Sequence, residues 1–207
     1  MMIKQVIVTG IATLAFAGSA TANSLLDGDP DAGQEKSQAC AACHGGDGNS
    51  TNPEWPKLAG QHAKYTFAQL KAYKTRERDN PEMYGQVQAL DEQDFKDLAV
   101  FYEQQVPRPG AADPVLAEEG KRIYQGGNLE TGVSACIACH GPRGEGVPTS
   151  ADYPRLSGQH AQYIIEELKK YRDGERTTDR ASMMREIAER MTEEEMEAVA
   201  EYIQGLY

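Results

Sequence analysis

The sequence predicts an all-helical chain of two tandem domains built to one plan, and three observations lead there. The run Cys40-Ala41-Ala42-Cys43-His44 recurs as Cys136-Ile137-Ala138-Cys139-His140 and uses every cysteine of the 207 residues. A second pattern, Trp55-Pro56-Lys57-Leu58-Ala59-Gly60-Gln61-His62, returns 98 positions later as Tyr153-Pro154-Arg155-Leu156-Ser157-Gly158-Gln159-His160. Apolar side chains past the amino terminus fall at helical spacing, and neither cysteine motif is flanked by an alternating, strand-like run.

Residues 1–22 begin with Lys4 in a short basic start, continue through a mostly apolar stretch from Val6 to Gly18 and end in Ala20-Thr21-Ala22. A secretory signal peptide has this form, whereas a membrane span needs about 20 apolar residues. Export to a bacterial periplasm, with no membrane span left in the mature chain, is the expectation. Ser24 to Ala32 reads as a loose lead-in and Gly33 to Ala42 as a helix delivering the first motif. From His62 to Tyr73, Tyr65, Ala68, Leu70 and Tyr73 share a helix face, and Arg76 to Pro81 breaks it. Asp91 is a plausible N-cap with Asp94 at the third position, and Phe95, Leu98, Ala99 and Tyr102 form the next apolar stripe. Prolines 107, 109 and 114 make Gln104 to Pro114 a linker. The expected domains are therefore 23–105 and 115–207, joined by 106–114. Leu168 and Tyr171 repeat Leu70 and Tyr73 at the same offset of 98, and Met184 with Thr192 repeats Met83 with Asp91 at 101.

Two thiols three positions apart, followed at once by an imidazole, suit covalent haem attachment. The thiols add across the two vinyl groups, and the adjacent His reaches the iron as a neutral ligand. Cys40, Cys43 and His44 would hold one haem c, and Cys136, Cys139 and His140 a second. A four-thiolate zinc site is disfavoured, because such pairs usually lie about 15 to 20 residues apart, while Cys43 and Cys136 are 93 apart. Redox dithiols would want a strand before each motif. Plain disulfides leave the matched histidines unexplained.

A haem that shuttles electrons without binding exogenous molecules needs a sixth iron ligand. Met83 and Met184 stand 39 and 44 residues after their motif histidines, at equivalent repeat positions. A thioether raises the potential by favouring ferrous iron. His62 and His160 repeat as well and are the competing pair; exposed helix-start positions or contacts to the haem propionates would account for them. Met183 is the near-miss for Met184, and Met191 and Met196 are expected in the core. Pro56 and Pro154 could place a carbonyl to accept the His Nδ1 hydrogen bond, with Leu58 and Leu156 packing on the porphyrin. Near 90 residues each, the halves are short for a self-sufficient core, and a buried porphyrin would supply apolar volume.

The formal charge is −11, and −12 without Lys4, the only charge among residues 1–22. Such a surface repels nucleic acid and anionic lipid and could steer the protein toward a basic docking patch. A catalytic rival, a two-haem peroxidase or sulfur-compound dehydrogenase, requires an open or displaceable sixth position or an additional ligand thiol. No cysteine lies outside the motifs, and both halves offer a matched methionine.

The paired CxxCH motifs, the [WY]-P-[KR]-L-x-G-Q-H repeat, the late methionine of each half and the ending Tyr202-Ile203-Gln204-Gly205-Leu206 resemble the cytochrome c4 family of two-haem class I cytochromes c. The resemblance covers essentially the whole mature chain. It implies two cytochrome c folds related by a pseudo-two-fold axis, haem propionates near the interface and His/Met coordination at both irons. It implies electron delivery from a quinol-oxidising complex or a periplasmic dehydrogenase to a terminal haem-copper oxidase. Separately from the resemblance, the mature chain is expected to be a monomer. Glu82-Met83-Tyr84 departs from many relatives. The lead-in Gly120 to Ala135 is longer than Gly33 to Ala39, a reason to expect unequal potentials.

Overall fold

The computed structural model describes residues 26–207; the expected signal peptide lies outside them. The first half contains α1 (Pro30–Lys36), α2 (Ala41–His44), α3 (Ala63–Thr75), α4 (Pro81–Val87) and α5 (Glu92–Glu103). The second half contains α6 (Pro114–Gly126), α7 (Ile137–His140), α8 (Ala161–Arg172), α9 (Met183–Arg190) and α10 (Glu193–Gly205). No β-strand occurs among the described residues, only isolated bridges. No described helix is long and apolar enough to cross a membrane.

Each half is organised by a crossing of its first and last long helices, α1 on α5 and α6 on α10, with α3 on α5 and α8 on α10. Glycine permits the crossings. A Cβ on Gly33 would lie 2.7 Å from the Phe101 Cβ, and one on Gly120 would lie 2.9 Å from the Val199 nitrogen and closer still to the Ala198 carbonyl. Both glycines let backbone approach backbone. Leu98 and Val100 are almost fully buried in the first half, as are Tyr124 and Met196 in the second. Met191 joins Met196 in the second core.

The helix starts follow side-chain chemistry. Asp91 and Thr192 each accept the backbone N–H three residues on, and Asp94 and Glu195 reciprocate, giving a capping box at the head of α5 and of α10. Two expectations need correction. Ser24 to Ala32 is not wholly a lead-in, because Asp29 caps α1 and Pro30 occupies its first turn. The helix expected over Gly33 to Ala42 is divided into α1, a 3₁₀ turn (Ser37–Ala39) and α2. Met83 lies in a short helix for which no expectation was formed: Asn80 accepts the Met83 N–H and Pro81 opens α4. Pro114 likewise opens α6 behind the Asp113 cap. Residues 104–113 contain no helix but are bonded to both halves, through Asn49 Nδ2 to the Val106 carbonyl at 3.1 Å and Gly110 N–H to the Gln204 carbonyl at 2.9 Å.

Candidate haem sites

In each motif one helical turn carries the chemistry. The His44 N–H donates to the Cys40 carbonyl at 3.0 Å and the His140 N–H to the Cys136 carbonyl at 2.9 Å. Such a turn sets residues three and four apart side by side, so both thiols and the imidazole serve one volume. None of the four cysteines is in a disulfide; Cys40 and Cys136 are half-buried, Cys43 and Cys139 exposed. Among the described residues no three His, Cys, Asp or Glu side chains are grouped to hold a metal ion, so the four thiols do not converge on one site.

After each histidine the chain turns through a glycine at φ 79°, Gly45 and Gly141. A second turn then lets Gly48 accept from the Leu58 N–H, and Gly144 from the Leu156 N–H, both at 2.7 Å. This closure carries the proline carbonyls to the histidines. His44 Nδ1 donates to the Pro56 carbonyl at 2.9 Å, and His140 Nδ1 to the Pro154 carbonyl at 3.1 Å. A carbonyl can only accept, so Nδ1 carries the proton and Nε2 keeps a free electron pair. Burial lowers both imidazole pKa values more than the carbonyl contact raises them, so both rings are neutral donors near pH 7.

The surroundings fit a flat apolar group. In the first half Cys40, Leu58, Leu70 and Leu90 are only partly buried against Leu98, Phe101 and Tyr102. In the second half Cys136, Leu156, Tyr171 and Met184 are partly buried against the core. These side chains present an unfinished apolar wall beside each motif, as a porphyrin requires. The Tyr102 hydroxyl is buried beside Cys40. Met83 packs partly buried with Tyr73, Val87 and Phe95. Met183 is distinguished from Met184 by a hydrogen bond, since its sulfur accepts from the Tyr153 hydroxyl at 4.0 Å.

His62 and His160 are not exposed helix starts. Each sits at the N-cap position of its helix without a side-chain cap bond, and each reaches into the other half. His62 Nε2 lies 2.6 Å from the Glu145 carbonyl, and His160 Nε2 lies 3.0 Å from the Ser50 carbonyl and 2.9 Å from its hydroxyl. Those nitrogens are engaged at the junction between the halves.

Around them lies a reciprocal clasp. Gln159 accepts the Lys57 N–H at 2.8 Å and donates to the Lys57 carbonyl at 2.9 Å. Gln61 does the same for Arg155, at 3.0 and 2.9 Å. Residue i meets j and j's counterpart meets i's, the signature of an approximate two-fold axis. Gln61 and Gln159 were visible in the repeat, but only the assembled halves reveal what they bind. Their signal was a pair of polar residues at matched positions of the repeat.

Comparison with known proteins follows this geometry. The family model described as Cytochrome c matches residues 30–104 and 117–207. The chain is 44% identical to cytochrome c4 of Azotobacter vinelandii over 99% of its own length and 100% of that protein. It is 48% identical to cytochrome c4 of Thiocapsa roseopersicina, over 86% of this chain and 93% of that one. The crystal structure of reduced recombinant cytochrome c4 from Pseudomonas stutzeri superposes with a TM-score of 0.84 at 40% identity, covering 87% of this chain and all of that one.

Proposed function

Since the chain belongs to the cytochrome c4 family of two-haem electron-transfer cytochromes, we propose that it relays single electrons in the periplasm, from a quinol-oxidising complex or periplasmic dehydrogenase to a terminal haem-copper oxidase. Its cofactors are two covalently bound haem c groups, whose irons each gain and lose one electron. In this reading Cys40 and Cys43 anchor the first haem and Cys136 and Cys139 the second. His44 and His140 are the proximal ligands, Met83 and Met184 the distal ones, and Leu58 and Leu156 pack on the porphyrins. Residues 1–22 act as the export signal, and 23–105 and 115–207 are the two haem domains, joined by 106–114.

The observation that carries the reading is the paired placement of two buried, neutral imidazoles, each with Nδ1 tied to a proline carbonyl. That bond fixes ring orientation and raises the basicity of Nε2, as a permanent iron ligand requires. The chain holds, orients and excludes water; no side chain has to move a proton. Replacing methionine tests the ligand set. Met83→Ala and Met184→Ala should each remove about half of the weak far-red sulfur-to-ferric-iron absorption and lower the potential of one haem. An undiminished band in both variants, or fewer than two covalently bound haems in the mature protein, overturns the proposal.

A further inference from the structure

Beyond the clasp, the junction buries two arginines. Arg78 and Arg176 occupy equivalent positions, are 5% and 4% exposed, and pair with one another through an antiparallel backbone bridge. Each guanidinium lies over a tyrosine of its own half, Arg78 over Tyr73 at 4.7 Å and Arg176 over Tyr171 at 4.6 Å. Each also donates to a tyrosine hydroxyl of the opposite half: Arg78 to Tyr163 at 2.8 Å, Arg176 to Tyr65 at 3.0 Å.

The symmetry fails at one side chain. Gln69 and Glu167 are equivalent in the repeat, yet one is an amide and the other a carboxylate. Gln69 accepts from Arg78 at 2.8 Å and from Arg176 at 3.0 Å, while Glu167 Oε2 lies 2.8 Å from Arg78 Nη2 and 2.7 Å from Arg176 Nη1. Lys170, whose counterpart is Ala72, meets the other Glu167 oxygen at 3.0 Å from the solvent side. Burial alone would push the Glu167 carboxyl up, but Arg78, Arg176 and Lys170 together hold it down at about 2. It is therefore ionised near neutral pH. Arginine stays protonated in proteins, so the buried cluster carries two positive charges and one negative.

We propose that this unbalanced cluster biases both haems toward the reduced state, and that Glu167 is the positioning residue that makes the two sites electrostatically unequal. The proposal rests on the two-haem relay reading above. Adding an electron to either site adds negative charge, which a buried positive charge in a low-dielectric junction stabilises. Glu167 opposes that effect from α8, on the second half, and its counterpart on α3 has no charge with which to do the same. A buried ion pair is weak evidence for stability but can enforce a single arrangement, so the cluster also holds the halves in register.

Near-isosteric substitutions in the two-haem protein test this by optical redox titration, with thermal unfolding and the far-red band recorded alongside. Glu167→Gln should raise both midpoint potentials and lower the unfolding temperature. Gln69→Glu should lower both potentials without loss of stability. The double exchange Gln69→Glu/Glu167→Gln keeps the net charge and should shift the two midpoints relative to one another. A purely structural role predicts a loosened junction and wetter haems, hence lower potentials in Glu167→Gln. Unchanged midpoints in both single variants, or a fall in Glu167→Gln, overturn the inference while leaving the relay reading intact. If Glu167→Gln does not fold, Gln69→Glu and the double exchange still decide by the same signs. Failure of the relay reading would show instead in the unsubstituted protein, as a missing haem or missing far-red band.

Discussion

Gly120→Ala adds a methyl group to the middle of the α6–α10 crossing, and the structure sets its cost. The new carbon would lie 2.9 Å from the Val199 nitrogen and closer to the Ala198 carbonyl, where carbon contacts prefer about 3.5–4.0 Å. The obstacle is helical backbone, which cannot rotate aside as a side chain could. The helices must part, and a gap of about 0.5–1 Å already forfeits a quarter to a half of each dispersion contact across it. Tyr124, Met196 and Ala200, all essentially fully buried, lie in this crossing or beside it. Overpacking of this kind costs about 3 kcal/mol at the upper end, offset by about 1 kcal/mol because alanine favours helix over glycine. The net loss is about 2 kcal/mol, or roughly 8–16 °C for a domain of this size. Gly85→Ala is the control: it lies within α4, and its Cβ would meet nothing within 4 Å. The same chemical change there should stabilise by about 0.4–1 kcal/mol. Thermal unfolding followed by far-ultraviolet circular dichroism and haem absorption measures both. A Gly120→Ala protein that melts at or above the unsubstituted one would refute the close-approach argument.

Three further outcomes are expected. The Glu167 pKa, 4.5 ordinarily and held at about 2 when folded, contributes stability that is complete above pH 5 and lost as pH falls toward 2; at ~1.4 kcal/mol per pH unit this is about 3 kcal/mol, and an acid titration of unfolding in which Glu167→Gln retains the same slope would contradict it. Asp91→Ala and Thr192→Ala each remove a capping box and should cost about 1 kcal/mol in denaturant unfolding, the first in the domain of His44 and the second in that of His140. Gln61→Ala with Gln159→Ala strips four hydrogen bonds from the junction and leaves buried backbone groups unpaired at about 1–3 kcal/mol each; small-angle scattering should then show the halves sampling wider separations, and unchanged scattering would argue against the clasp.

What was legible in the sequence was local. The fivefold chemistry of Cys40 to His44, the capping residues Asp91 and Thr192 and the helical stripe from Phe95 to Tyr102 involve partners a few residues away, where spacing carries the information. Repetition extended this reach, because a feature seen at 98 positions' separation had to serve both halves. Three things escaped. The short helix around Met83 is set by Asn80 and Pro81, a cap and first-turn pair that reads equally well as a turn. The start of α1 was placed too late because Asp29 and Pro30 look like loop residues until the helix they begin is known. The role of His62 and His160 depends on carbonyls at Glu145 and Ser50, more than 80 positions away, and no periodicity encodes a partner at that distance.

The repeat nevertheless contained the junction in latent form. A polar side chain that appears at matched positions in two halves can face solvent, bond within its own half or find a mate across the axis. Gln61, His62 and Arg78 and their counterparts all find one across the axis, the glutamines and arginines while also bonding within their own half. A junction made from such pairs fixes separation and orientation through hydrogen bonds that are directional, whereas an apolar face would tolerate sliding. Directionality matters for a relay, because transfer between two fixed sites depends on their distance while no chemical step adjusts it. The same symmetry makes any departure conspicuous: the arginines and tyrosines at the centre occur twice in kind, whereas the Glu167 carboxylate, with Lys170 on its solvent side, is matched only by Gln69 and Ala72 at the equivalent positions, so this pair is where otherwise equivalent sites differ in charge.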